Sequence, residues 1–295
     1  MTPALHRYFG LSATGFHKVV YREWLPEGRT YDNGRTVICV HGLTRNGRDF
    51  DTLAADLAGQ GYRVICPDVV GRGDSDRLAD PKGYAYPQYL GDMAALIARL
   101  DVEQVDWVGT SMGALIGMML AAQPQSPIRS LVLNDAGPLI PKASLERIAT
   151  YVGVQPVFAD FAAAESFART TYAGFGPLSD DNWRKLTEVT VTETDKDDGS
   201  LGLNYDPGIA EAFKQVELND VILWPFWDAI TCPTLVLRGE NSDLLLEETA
   251  QEMTERGPKA DLAVIPDCAH APALMDAAQT GIVRDWLDNH APEDE

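Results

Sequence analysis

Apolar positions along the chain follow two periods that alternate. Short runs rich in β-branched residues (Thr36–His41, Arg63–Pro67, Val105–Gly109, Ser130–Asn134, Thr234–Arg238 and Leu262–Ile265) have the length and composition of strands. Between them the apolar residues return at helical spacing. Leu90, Met93, Ala94, Ile97 and Leu100 share one face of a helix predicted over Tyr86–Leu100, and Met275, Ile282, Val283 and Trp286 share another near the C-terminus. This alternation predicts an α/β fold with a mostly parallel central sheet and helices on both faces. Segments around Tyr8–Ser12 and Lys18–Trp24 read as an antiparallel pair at the sheet edge.

One stretch breaks the alternation. Leu139–Asp228 is about ninety residues of helical pattern with a polar turn at Asp195–Ser200. A strand–helix connection needs only about 2–6 loop residues at each end. The predicted organisation is therefore a core formed by residues 1–138 and 229–295, with a helical cap inserted at 139–228. In open α/β sheets ligands bind beyond the carboxyl ends of the strands, where such an insertion would form a roof.

Composition and charge narrow the partners. The 295 residues carry 24 Lys+Arg against 44 Asp+Glu, a formal charge of −20, with 45% hydrophobic residues. Such a chain repels phosphate backbones and anionic lipid surfaces, and no Lys/Arg cluster supplies a local basic footprint. Nucleic-acid and membrane partners are not expected. The start lacks the apolar region of a signal peptide, and the longest apolar runs, Ala114–Ala122 and Val221–Trp227, fall short of the roughly 20 residues that span a bilayer. A cytoplasmic protein is expected, with Cys39, Cys66, Cys232 and Cys268 as free and mostly buried thiols.

The chemistry concentrates at Gly109-Thr-Ser111-Met-Gly113, which follows the run Val105–Val108 and opens the helical Met112–Ala122. A G-x-S-x-G between strand and helix is a nucleophile elbow. A sharp turn holds the serine in a strained conformation with its hydroxyl projecting, and flanking glycines let strand and helix approach closely. The free N–H groups at the helix start face a developing oxyanion.

With this motif the chain resembles the α/β-hydrolase family. Four further segments, spread over nearly the whole chain, carry the likeness. His41-Gly42-Leu43 resembles the oxyanion-hole loop, which implies Leu43 and Met112 as the two N–H donors. Asp68-Val-Val-Gly71-Arg-Gly73-Asp-Ser75 resembles the family's D-x-x-G-x-G-x-S turn. Arg238-Gly-Glu-Asn-Ser-Asp243 and Asp267-Cys-Ala-His270 follow the strands after which the family places its acid and its histidine. The resemblance implies a triad of Ser111, Asp243 and His270 in the order Ser…Asp…His. Asp135, at the end of Leu131–Asn134, is the rival for the acid, because some members place it there. His41 is expected to support its loop rather than act as the base.

These residue types suit acyl transfer to water. A serine hydroxyl is a weak nucleophile without an adjacent base, an imidazole exchanges protons near neutral pH, and a carboxylate fixes its tautomer. The expected activity is serine-dependent hydrolysis of small or medium, fairly apolar carboxylic esters, with short hydroxyalkanoate oligoesters or lactones among the candidates. A carbon–carbon bond hydrolase of the same fold and a ligand-binding pseudohydrolase are the alternatives. Arg45, Trp183 and Trp227 are the candidate substrate contacts. No metal is expected: there is no H-E-x-x-H, no Cys/His cluster, and the acidic turn at Asp195–Ser200 lacks the spacing of a calcium loop. No cofactor is expected either, since Gly71-x-Gly73 lacks the third glycine of a dinucleotide fingerprint.

Overall fold

A computed structural model describes residues 2–26, 33–194, 198–214 and 217–290. Residues 195–197 of the expected polar turn lie outside them. Strands β1 (Ala4–Ser12) and β2 (Gly15–Trp24) form the expected hairpin but start four and three residues earlier, and β3 (Thr36–Val40), β4 (Arg63–Pro67), β5 (Val105–Thr110) and β6 (Ile128–Asn134) coincide with the β-branched runs to within two residues. Two short antiparallel ladders follow, β7 (Leu139–Ile140) with β10 (Val221–Ile222) and β8 (Val191–Glu193) with β9 (Leu201–Leu203). Strands β11 (Thr234–Gly239) and β12 (Asp261–Ile265) complete an eight-stranded sheet of order β1-β2-β4-β3-β5-β6-β11-β12. From β4 to β12 every pairing is parallel; the β1–β2 hairpin is antiparallel and joins the sheet antiparallel to β4.

The central strands are buried on both faces, and their period of two sorts side chains into two cores. In β3, Ile38 and Val40 enter one cluster while Val37 and Cys39 enter the other. The first is covered by α2 (Tyr86–Leu100) and α3 (Met112–Ala121), the second by α1 (Asp51–Gly59) and α10 (Ala277–Asn289). Helix α2 spans the predicted residues but is turned on its axis: Ala94 faces solvent, while Leu96 and Asp92 are buried. The cause is a polar contact that hydrophobic periodicity does not register. Both Asp92 carboxylate oxygens lie 3.0 Å from His17 Nε2, tying the helix to the edge hairpin.

Between β6 and β11 lie α4 (Lys142–Ala149), α5 (Phe161–Thr171), α6 (Asp180–Thr190), α7 (Glu211–Lys214) and α8 (Trp224–Ala229). This segment shares the first hydrophobic cluster through Ile148, Val152, Phe158, Leu203 and Trp227. After β11 come α9 (Glu247–Glu255) and then β12 and α10. Among the described residues no helix is long and apolar enough to cross a membrane.

Candidate active site

Ser111 stands between β5 and α3 with φ +53° and ψ −113°, a conformation that L side chains rarely adopt. The glycines on either side explain how the turn closes. A Cβ on Gly109 would lie 2.3 Å from the Gly113 carbonyl oxygen, and one on Gly113 would lie 2.0 Å from that of Val40. Both contacts are to backbone, so neither position accepts a side chain without displacing a strand or the helix.

Three further loops converge on the Ser111 hydroxyl. His270, nine residues after the start of the β12 strand, has Nε2 at 2.9 Å from Ser111 Oγ and Nδ1 at 2.7 Å from Asp135 Oδ2. An ionised carboxylate only accepts, so Nδ1 carries the proton and Nε2 is the acceptor facing the serine. Asp135 is fully buried. It also accepts from the Gly239 N–H (2.8 Å, Oδ1) and the Ser242 hydroxyl (2.6 Å, Oδ2).

The carboxylate that meets His270 is thus Asp135, which corrects the expectation of Asp243. Asp135 has φ +56° at the end of β6, a bend that turns its side chain towards the histidine loop. In the turn after β11, Ser242 faces inward and Asp243 faces out. The half-exposed Asp243 is bound by Arg147 Nε at 2.6 Å and Nη2 at 2.9 Å.

Leu43 and Met112 flank Ser111, and among the described residues neither backbone N–H has a protein acceptor. The loop carrying Leu43 is locked in place. His41 Nε2 accepts from the Val69 N–H (2.9 Å), so its Nδ1 donates to the Gly42 carbonyl (2.7 Å). Burial pushes this imidazole down to about 3, so it is neutral and structural. Asp68 accepts from the Gly47 N–H at 2.7 Å and the Asp74 N–H at 3.0 Å, and holds the same loop from the other side. Cys268 lies two residues before His270, but burial raises its thiol to about 11 and leaves it a weak nucleophile.

Two cavities open from Ser111. One, about 830 Å³ with its mouth, is apolar and lined by residues such as Tyr86, Leu115, Ile140, Leu145 and Phe213. The other, about 850 Å³ with its mouth, is more polar and includes His270, Arg45, Arg147, Tyr151 and Tyr172. Arg45 lines this second cavity, as the sequence reading places it, but its guanidinium is already engaged. It binds Asp49 at 2.6 and 2.8 Å and Thr190 Oγ1 at 2.6 Å, and lies 4.6 Å from the Tyr172 ring centroid. Trp183 and Trp227 line neither cavity. Trp183 packs with Ala168, Tyr172 and Leu186, and Trp227 is wholly buried with its indole N–H on the Arg256 carbonyl. Trp183 thus fills the interior of the intervening segment and Trp227 the core under the sheet, and neither reaches the site. The roles of Arg147 and Ser242 escape the sequence reading because they depend on contacts spanning 96 and 107 residues. Among the described residues no group of three or more His, Cys, Asp or Glu is placed to hold a metal.

Comparison with known proteins agrees with this architecture. Residues 35–277 match the family model described as the alpha/beta hydrolase fold. The chain is 46% identical over 278 residues to a 3-hydroxybutyrate-oligomer hydrolase of Cupriavidus necator, covering 92% of this chain and 93% of that one. It is 26% identical to a 2-(acetamidomethylene)succinate hydrolase of Mesorhizobium japonicum over 82% of this chain and 84% of that protein. The crystal structure of an alpha/beta hydrolase from Novosphingobium aromaticivorans superposes with a TM-score of 0.85 at 35% identity, covering 98% of this chain and 99% of that one. With its parallel sheet, its serine at the β5–α3 elbow and a family model matching most of its length, this chain belongs to the alpha/beta hydrolase fold family.

Proposed function

We propose that the protein is a serine hydrolase that cleaves short 3-hydroxyacyl oligoesters through an acyl-enzyme intermediate. The observation that carries this reading is the hydrogen-bonded run from Asp135 through His270 to Ser111, at 2.7 and 2.9 Å, opening into two cavities of opposite character. His270 Nε2 takes the Ser111 proton as Oγ attacks the ester carbonyl carbon. The oxyanion that forms is received by the Leu43 and Met112 N–H groups. Collapse breaks the bond to the leaving oxygen, which takes the proton from His270. Water then repeats the sequence on the acyl-enzyme, with His270 as base and then acid, and frees Ser111. The imidazolium formed in each half is stabilised by Asp135.

Because His270 must protonate the leaving oxygen, the leaving group lies on its side of the serine. His270 lines only the polar cavity, together with Arg45 and Arg147. A linear 3-hydroxybutyrate oligomer ends in a carboxylate on its leaving-group side and presents a methyl-bearing acyl chain on the other. That polarity matches the more polar cavity beside His270, where Arg45 and Arg147 sit paired with Asp49 and Asp243, and the apolar one beyond Met112. Both relatives named above act, by their names, on molecules that carry carboxylates. Residues 139–228 serve in this reading as the cap that encloses both cavities.

The test is turnover of a linear 3-hydroxybutyrate trimer and of p-nitrophenyl butyrate by the native chain and by Ser111→Ala. The native chain should release monomer and dimer, and the variant should lose at least about 1,000-fold in kcat. Failure to label Ser111 with a fluorophosphonate would sink the nucleophile assignment. Labelling with an inert trimer would sink the substrate class alone.

A further inference from the structure

Arg72 lies between the two glycines of the Gly71-Arg72-Gly73 turn and is 1% exposed. Its guanidinium is spread over neutral acceptors. Nε donates to the Leu43 carbonyl at 2.9 Å, and Nη1 donates to the Val70 carbonyl at 2.8 Å and to the Tyr89 hydroxyl at 3.1 Å. Nη2 approaches Met112 Sδ at 3.6 Å, and the ring centroids of Tyr89 and Tyr84 lie 5.1 and 5.7 Å from the guanidinium carbon. Among the described residues no carboxylate pairs with it. Arg35 and Arg45, buried to a similar degree, instead hold Asp106 and Asp49 respectively.

An isolated charge away from water is costly unless something compensates it. Here carbonyl dipoles and aromatic faces share that work and leave the net positive charge standing. Two of the residues it touches, Leu43 and Met112, are those whose N–H groups form the oxyanion hole of the proposed mechanism. In the ground state the reacting carbonyl is neutral; after attack it carries a full negative charge. A fixed cation behind the hole therefore favours the tetrahedral state over the bound ester, which lowers the barrier without tightening substrate binding.

We propose that Arg72 is a positioning residue of the active site, whose uncompensated charge supports the oxyanion from behind Leu43 and Met112 while its Nε holds the Leu43 peptide. This rests on Ser111 being the nucleophile. The experiment compares Arg72→Gln and Arg72→Met, which remove the charge, with Arg72→Lys, which keeps it but loses the planar fork. The readouts are kcat and KM for p-nitrophenyl butyrate and the affinity for a trifluoromethyl ketone, which adds to an activated serine as a tetrahedral anion. The neutral variants should lose about 30-fold in kcat with KM within about threefold, and should bind the ketone weaker by the same factor. The lysine variant should recover most of both. Equal losses in the lysine and neutral variants, or losses confined to KM, would overturn the proposal. Should the neutral variants not fold, Arg72→Lys decides alone: kcat within about threefold of native supports the charge, and a loss beyond about 30-fold refutes it. Fluorophosphonate labelling of the native chain runs alongside, so failure of the nucleophile reading is seen separately.

Discussion

Asp135 receives hydrogen bonds from the Gly239 amide, the Ser242 hydroxyl and the His270 imidazole, all within 2.8 Å. A buried carboxylate held from three directions has one orientation open to it. Asp135→Asn should therefore cost about 1,000-fold or more in kcat, because an amide offers His270 a donor where it needs an acceptor and upsets the tautomer. Ser242→Ala, which removes one of the three hydrogen bonds, should cost nearer tenfold. Asp243→Asn should leave kcat within about threefold, since that carboxylate is half-exposed and bound to Arg147. Steady-state kinetics on one neutral ester orders the three, and an Asp243 variant as damaged as the Asp135 variant would contradict the geometry. Ser111 and His270 were legible in the chain because a motif and a strand end announce them. The carboxylate that meets His270 was not, because Asp135 and Asp243 both follow strands in turns. What separates them is which side chain the chain bends inward, and the +56° φ of Asp135 is not written in its neighbours.

At the scale of elements, the elbow is a place where three pieces of backbone meet without room for a methyl group. Gly113→Ala would drive a Cβ to within 2.0 Å of the Val40 carbonyl oxygen, so α3 must move off β3. The expected outcome is a loss of several kcal/mol of stability, measured by urea unfolding, with activity falling further than stability as Ser111 shifts. His41 joins the same strand to the turn after β4. In the unfolded chain an imidazole takes a proton near pH 6.5, whereas in the fold this one resists until about 3. Its contribution is intact above pH 6.5 and is lost as pH falls from there towards 3. A His41→Asn variant, though less stable at neutral pH, should show a shallower decline of unfolding free energy between pH 6.5 and 4. An unchanged slope would remove His41 from the acid sensitivity. The central strands were readable because burial on two faces dictates their composition, and α2 because apolar residues recur at helical spacing, although its exact face was not. The ladders β7–β10 contain only two or three residues each and exist through pairing with distant partners, so no local pattern marks them.

For the molecule as a whole, the formal charge of −20 opposes approach of an anionic oligoester while leaving a neutral ester unaffected. Raising ionic strength from about 10 to 200 mM shortens the screening length from about 30 to under 10 Å. kcat/KM for the trimer acid should then rise about two- to threefold, and that for p-nitrophenyl butyrate should stay flat. A fall for the acid would mean that Arg45 and Arg147 already dominate the field at the cavity mouth.

Two bonds connect the loop behind the oxyanion hole to the segment above it: Arg45 Nη1 to Thr190 Oγ1 and Asn46 Nδ2 to the Val189 carbonyl, each 2.6 Å long and buried. The loop that carries Leu43 and the end of α6 are therefore tied to each other inside the fold. Fraying the last turn of α6 would release two anchors of the loop that carries Leu43, and by reciprocity a ligand bound at that loop would steady α6. If Leu43 supplies an oxyanion donor as proposed, substitutions at the end of α6 should change turnover even of a small ester without meeting any reacting atom.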